Sequence, residues 1–547
     1  MAKAARGTVS LAVTALLTGT ALGGLSGCTA GGGEPTGPLT EAARDLARSP
    51  ASPVPTAAEP LPEELTGQRL DWGECPDVGE GPLGGVLEPM PDGSEWECAT
   101  MKAPLDYSSP DGRTIDIALV RAPTKAADDK RLGSLVFNFG GPGGSGVRTL
   151  PASGSTYASL HTRYDLVSFD PRGVGRSSGV RCLGDEALDE YYQKARVPTS
   201  EQRLEEVFDD QERYNTACEE NSGTVLPYLT TAYTARDMDL LRQVLGDDKL
   251  HYFGISYGTE LGGVYAHLFP DRVGRAVFDA VVDPTQGPME SGLAQTRGFQ
   301  QALENYLEDC DATEEGCPLG DPAAAQRAVS DLLAKAERDP LPANDPADRR
   351  LTGSLAASGI VLAMYSKDFW EVLTEALQDA IDDGDGTLLL RMSDLLNGRS
   401  DDGSYDGSEA ARTAISCADT KTRYSPEEVW AKAAEFEKAS PVFGRYFAWG
   451  AAGCHGWPVE GVADRPDVSA SGSDPIVVIG TTGDPATPYE GAARMAEALG
   501  EDVAVQLTYQ GDGHGAYNSG DNCVQRYVDA YLLDGTVPKD GSRCRAS

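Results

Sequence analysis

The sequence predicts an α/β protein, a mostly parallel sheet with a helical cap inserted before its last strands. Three observations carry this. Short apolar runs alternate with helical patterns through the first half. From about Pro288 to Gly450 the periodicity is helical, with little strand. Strand patterns then return near the C-terminus.

Each element has its own signal. Residues 115–120 alternate apolar and polar, as a strand with one buried face does. Residues 134–139, 166–169, 250–253 and 276–281 are short apolar or aromatic runs suited to buried strands. Residues 238–245 read as a helix between two of them. Within the helical stretch, Phe369, Leu373, Leu377 and Ile381 share one helical face, and Asp382-Asp383-Gly384 ends that helix. Strands resume at 475–480 and 503–509.

The chain has 547 residues, 40% hydrophobic and 24% charged, enough for two or three structural units. Its net charge of −39 argues against a nucleic-acid partner, because such binders are usually basic. Lys3 and Arg6 precede an uncharged, largely apolar stretch from Val9 to Leu25, which reads as an export signal. It ends in Leu25-Ser26-Gly27-Cys28, which resembles a bacterial lipobox, with Cys28 as the lipidated residue. The expected boundaries are a signal at 1–27, a lipid anchor and flexible linker at 28–67, a first core segment at 68–287, a cap at 288–450 and a second core segment at 451–547. The expected location is the outer face of the cell membrane, held there by the lipid alone, or the secreted fraction. Setting Cys28 aside leaves ten cysteines, an even number that fits up to five disulfides in an exported protein. Sequence neighbours such as Cys310 and Cys317 are the natural guess, though connectivity stays open. No Cys-x-x-Cys pair occurs, and neither a metal nor an organic cofactor is implied.

The chemistry centres on Gly254-Ile255-Ser256-Tyr257-Gly258. Gly-x-Ser-x-Gly is the pattern of a serine on a strand-to-helix elbow. The run at 250–253 supplies the strand, and residues 261–269 the helix, stopped by Pro270. A second match, Gly175-Arg176-Ser177-Ser178-Gly179, has neither directly beside it. Ser256 is therefore the expected nucleophile. A serine needs a base, and the base an orienting acid. Of five histidines, His251 and His267 lie in the flanking elements, His161 upstream, and His455 in a turn beside Cys454. His514, in a loop after the last expected strand, is the expected base. Asp484, at the end of the 475–480 strand, is the expected acid. Asp283 is the runner-up, and Asp512 lies too close to His514 in sequence. Gly140-Gly141-Pro142-Gly143-Gly144 follows a strand. Gly141 is the expected oxyanion donor, paired with the N–H of Tyr257.

The strings "NFGGPGGSG", "DPRGVGRSS", "GISYGTELGGVYAHLFPDRV", "CHGWP", "GTTGDPATP" and "GDGHG" together resemble the exported tripeptidyl aminopeptidases and related proteinases of actinobacteria. These belong to the proline-iminopeptidase branch of the α/β-hydrolase fold. The resemblance runs from about residue 134 to 523, with Asn138 opening the glycine loop. It implies a serine exopeptidase releasing short peptides, tripeptides in that group, from free N-termini under a helical cap. It carries over Ser256, Asp484 and His514 but not the amine-binding groups of the cap. An esterase or thioesterase of the same fold, and a non-catalytic lipid-anchored solute-binding protein, are the competing readings.

Overall fold

The computed structural model describes residues 60–546, apart from 77–86, 88, 195–196, 199 and 314–315. The export signal, Cys28 and most of the expected linker lie outside the described residues.

Among the described residues ten strands form one sheet: β1 (Gly73–Glu74), β2 (Glu97–Pro104), β3 (Thr114–Ala122), β4 (Ser134–Asn138), β5 (Asp165–Phe169), β6 (Leu250–Ile255), β7 (Val273–Asp279), β8 (Ile476–Gly483), β9 (Ala504–Asp512) and β10 (Ser542–Arg545). Their order is β1-β2-β3-β5-β4-β6-β7-β8-β9-β10. The pairs β1/β2, β2/β3 and β3/β5 are antiparallel, and all the others are parallel. The parallel strands β4 and β5 are buried along their whole length, as their unbroken apolar runs require. β3 begins by alternating, with Ile115 and Ile117 buried and Thr114 and Asp116 exposed.

Helices of eight or more residues are numbered in chain order. The core carries α1 (Gly146–Ser153), α2 (Asp185–Gln193), α3 (Glu201–Ser222), α4 (Thr231–Leu245) and α5 (Tyr257–Leu268). Between β7 and β8 stand α6 (Pro288–Asp311), α7 (Pro322–Arg338), α8 (Gly353–Met364), α9 (Trp370–Gln378), α10 (Thr387–Asn397), α11 (Ser408–Asp419) and α12 (Pro426–Ala439). Two more, α13 (Glu490–Leu499) and α14 (Asn522–Asp534), flank the last strands. The helix expected to end at Gly384 does so: Gly384 closes it at φ 69°, after a π turn over Asp379–Asp383.

The packing departs from the expected boundaries in three places. Residues Glu63–Thr66 form a helical turn and Leu65 is buried in the main core, so the expected linker is already packed before residue 67. Leu65 docks it, and Leu61 just before it packs partly buried on the same core. The excursion α2–α3 was not foreseen; Leu204 and Phe208 of α3 pack on Val429 of α12. Finally, α6 to α10 build their own apolar cluster, whereas Ala410, Ala411, Ala414, Ile415 and Ala418 of α11 pack in the main core.

Five disulfides, Cys75–Cys98, Cys182–Cys218, Cys310–Cys317, Cys417–Cys454 and Cys523–Cys544, join sequence neighbours.

Candidate active site

Strand register collects the motifs. Asn138 of β4 pairs with Gly254 of β6, Ile255 of β6 with Asp279 of β7, and Gly483 of β8 with Asp512 of β9. The glycine loop, Ser256, Asp279, Asp484 and His514 therefore emerge at the carboxyl ends of adjacent parallel strands. Open α/β sheets bind their ligands there.

Ser256 is the hinge between β6 and α5, at φ 58° and ψ −127°. That conformation is strained for a residue with a Cβ, and it persists only where the surroundings enforce it. They do. A Cβ on Gly254 would lie 2.4 Å from the carbonyl of Gly258, and one on Gly258 2.4 Å from the carbonyl of Asn138. Both glycines let the strand and helix close on the turn. Ser256 N–H donates to the Asp279 carbonyl at 3.1 Å.

His514 Nδ1 lies 2.9 and 3.1 Å from the two carboxylate oxygens of Asp484. Asp484 is buried, and its Oδ1 also accepts the amides of Ala486 and Thr487 at 3.0 and 2.9 Å. The His514 amide donates to the Tyr365 carbonyl at 2.8 Å, and the Tyr365 ring stands edge-on to the imidazole. Burial pushes the imidazole pKa down. The charge of Asp484, its hydrogen bond and the charge of Asp279 outweigh this and hold it above its ordinary value.

The glycine loop passes against the elbow. A Cβ on Gly140 would sit 2.8 Å from Ser256 Cβ and 3.0 Å from the Tyr257 nitrogen. Gly140 N–H is taken by Asn138 Oδ1 at 3.0 Å, while Gly141 N–H has no partner among the described residues. Tyr257 is the first residue of α5, so its N–H lacks an intrahelical acceptor. The free Tyr257 N–H thus lies next to Ser256 in the chain, and the Gly141 N–H follows the residue that touches the elbow. Asp170 fixes the loop by accepting from Ser145 Oγ at 2.6 Å and from the amides of Val147 and Arg176. Arg172, fully buried, ties the neighbouring turn to Asp237 and to the carbonyls of Pro104, Leu105 and Tyr228.

The remaining candidates have other occupations. Ser177 is fully buried and its Oγ accepts the Ala118 amide at 2.9 Å. His251 Nδ1 accepts the Arg275 amide, and burial with the Arg275 charge lowers its pKa to about 4. His161 is buried at the end of a short helix. His267 Nδ1 meets Ser469, and His455 Nδ1 meets the Tyr424 carbonyl beside the Cys417–Cys454 bridge. Asp283 caps a turn at Thr285, and Asp512 accepts from Asn305 of α6. Cys523 and Cys544 lie near Asp521 but are bonded to each other, leaving no thiolate for a metal.

Sequence reasoning missed Asp279. It is fully buried, and its carboxylate accepts the amides of Ala516 and Tyr517, which anchors the turn after His514. Its position at a strand end, like that of Asp484, was the available signal.

Three parts of the insertion cover these groups. A Cβ on Gly298 of α6 would lie 2.4 Å from the Pro485 carbonyl, beside Asp484. A Cβ on Gly143 of the glycine loop would lie 2.4 Å from the Ser408 carbonyl at the start of α11. Tyr365 lies on His514.

An elbow serine and an imidazole–carboxylate pair at the carboxyl ends of a parallel sheet define a serine hydrolase of the α/β class. Residues 440–544 match the family described as TAP-like protein. Serine protease Hip1 of Mycobacterium tuberculosis is 36% identical over 505 residues, covering 88% of this chain and 92% of that protein. Carboxylesterase B of the same organism is 33% identical over 462 residues, covering 82% and 86%. Tripeptidyl aminopeptidase of Streptomyces coelicolor is 30% identical over 446 residues, covering 80% and 81%. The chain belongs to the TAP-like α/β-hydrolase family that these proteins share.

Proposed function

We propose that this protein is a serine exopeptidase that releases short peptides, tripeptides first among them, from the free N-termini of peptides outside the cell. Ser256 is the nucleophile. His514 takes its proton as the Oγ attacks the scissile carbonyl, and Asp484 holds the imidazole in the required tautomer. The oxyanion that forms lies between the N–H groups of Tyr257 and Gly141. Collapse breaks the C–N bond, His514 protonates the leaving amine, and water then releases the acyl group by the same route.

The observation that supports an exopeptidase is the cover. Contacts from α6, α11 and Tyr365 reach the Asp484 turn, the glycine loop and His514, so a chain end has easier access than the middle of a folded protein. Two relatives carry protease and aminopeptidase names, which favours peptide substrates. The esterase reading keeps a foothold in the third. The test is a matched pair of peptide chromogens, one with a free N-terminus and one acetylated. Loss of a charged hydrogen bond is expected to remove about 2–5 kcal/mol of transition-state binding from the acetylated peptide. Equal rates on both would leave an endopeptidase or an esterase.

An extracytoplasmic location, anchored through Cys28, accords with the five disulfides. Among the described residues no helix is long and apolar enough to cross a membrane.

A further inference from the structure

His514 stands between two glycines of left-handed backbone, Gly513 at φ 95° and Gly515 at φ 97°. Such a run has little stiffness of its own. Asp484 fixes Nδ1, but Nε2 must reach Ser256, so the loop has to be held on both sides of the histidine. Upstream, the Tyr365 carbonyl takes the His514 amide at 2.8 Å. Downstream, one side chain does the holding. Asp279 Oδ1 and Oδ2 each accept the Ala516 amide at 3.0 Å, and Oδ2 accepts the Tyr517 amide at 2.9 Å.

The same residue holds the nucleophile. Its carbonyl accepts the Ser256 amide at 3.1 Å, and its Oδ1 accepts the Ala280 amide at 2.9 Å. Among the described residues four non-glycines have left-handed φ: Ser178, Ser256, Ala280 and Asp348. Asp279 accepts the amides of two of them, Ser256 at φ 58° and Ala280 at φ 54°. Backbone strain of this kind gathers at functional sites. Asp279 thus grips the strained serine through its backbone and the loop of the base through its side chain.

A fully buried acid is a costly way to tie a loop. Burial pushes the Asp279 carboxyl above its ordinary pKa, against the pull of the Tyr517, Ala516 and Ala280 amides. The hydrogen bonds nonetheless admit only the carboxylate. Both oxygens face N–H groups, so an acid O–H or an asparagine NH2 would set donor against donor.

We propose that Asp279 is a positioning residue: it sets the reach of His514 Nε2 to Ser256 Oγ, and its charge favours the imidazolium formed as the serine proton is taken. The assignment rests on the serine-hydrolase chemistry proposed above. The charged and titratable groups that face the imidazole are Asp484 from the end of β8, Asp279 from the end of β7 and Tyr365 from the cap. Burial lowers the imidazole pKa, and the charges of Asp484 and then Asp279 raise it. Loss of the Asp279 charge therefore lowers it.

The test compares full-length wild type with Asp279→Asn. Labelling of Ser256 by a fluorophosphonate probe and hydrolysis of a peptide chromogen are followed across pH, both rates expressed per folded molecule. The plateau rates of the variant are expected to fall on the order of 10- to 100-fold. KM is expected to stay within about threefold. The acid inflection of labelling is expected to move to lower pH, which a merely structural tie would not do. Plateau rates equal to wild type, or an unmoved inflection, overturn the proposal. If Asp279→Asn does not fold, native-state hydrogen exchange of the wild type decides. The amides of Ala516 and Tyr517 are expected to exchange roughly 100-fold or more slowly than those of an open loop. Free exchange there overturns the proposal. A wild type that reacts with the probe but hydrolyses no peptide, with the Asp279→Asn effects on labelling intact, keeps the role of Asp279 and overturns the peptidase reading instead.

Discussion

Ser256 and Ser177 both stand in glycine-flanked runs, and their surroundings assign them different work. Ser256→Ala is expected to lower kcat on the order of 10⁴-fold or more while the melting transition stays put. Ser177→Ala strands the buried Ala118 amide, so it is expected to cost about 1–3 kcal/mol of stability in denaturant unfolding and to leave the folded fraction active. The imidazole supplies a second test. The base must be neutral, and its folded pKa stands above the ordinary 6.5. The acid limb of kcat/KM is therefore expected to inflect above pH 6.5, and Asp484→Asn to move it downward. The linked stability has the matching sign: it is fully present below pH 6.5 and fades as pH rises through the folded value. At this scale the sequence was legible wherever a motif fixes a backbone geometry, as at Ser256, Asp484 and His514. Asp279 carries no such motif. Its meaning comes from Ala516 and Tyr517, far away in the chain, which no local pattern encodes.

Among the elements, the junction of β6 and α5 is the least tolerant. Gly258→Ala would drive a methyl group into the Asn138 carbonyl and pry the glycine loop from the elbow. A loss of roughly 1–3 kcal/mol in unfolding is expected, with activity falling alongside. Gly450 is the control: nothing lies within 4 Å of its Cβ position, so Gly450→Ala is expected to be neutral or to stabilise by about 0.4–1 kcal/mol. The parallel strands were readable because burial on both faces demands unbroken apolar runs. Strand β2 was not, because Glu97, Thr100 and Lys102 break its pattern and Met101 and Ala103 do the burying. Strand β10 is four residues long, too short for any period. The excursion α2–α3 was hidden by its charge; α2 has no buried residue.

Across the whole molecule, a net charge of −39 sets the long-range field. Cationic peptides are drawn toward it, and added salt screens the attraction. For a lysine-containing peptide, kcat/KM is expected to fall on the order of 3- to 10-fold between low salt and about 0.5 M. An acetylated neutral peptide is expected to change little, and steady-state kinetics across a sodium chloride series checks both. The larger pattern of sheet, insertion and sheet was legible from periodicity, but the attachment of the insertion was not. Helix α11 is the reason. Its alanines pack in the main core, its start abuts the glycine loop, its end holds Thr231, and Cys417 bonds to Cys454. For recombination between relatives, this helix therefore travels with the catalytic scaffold. A chimaera that exchanges residues 288–450 whole would transplant a foreign surface into the core beneath it. The inheritable module is shorter, and its downstream seam falls between α10 and α11, where Gly398 and Gly407 bracket a hydrogen-bonded turn.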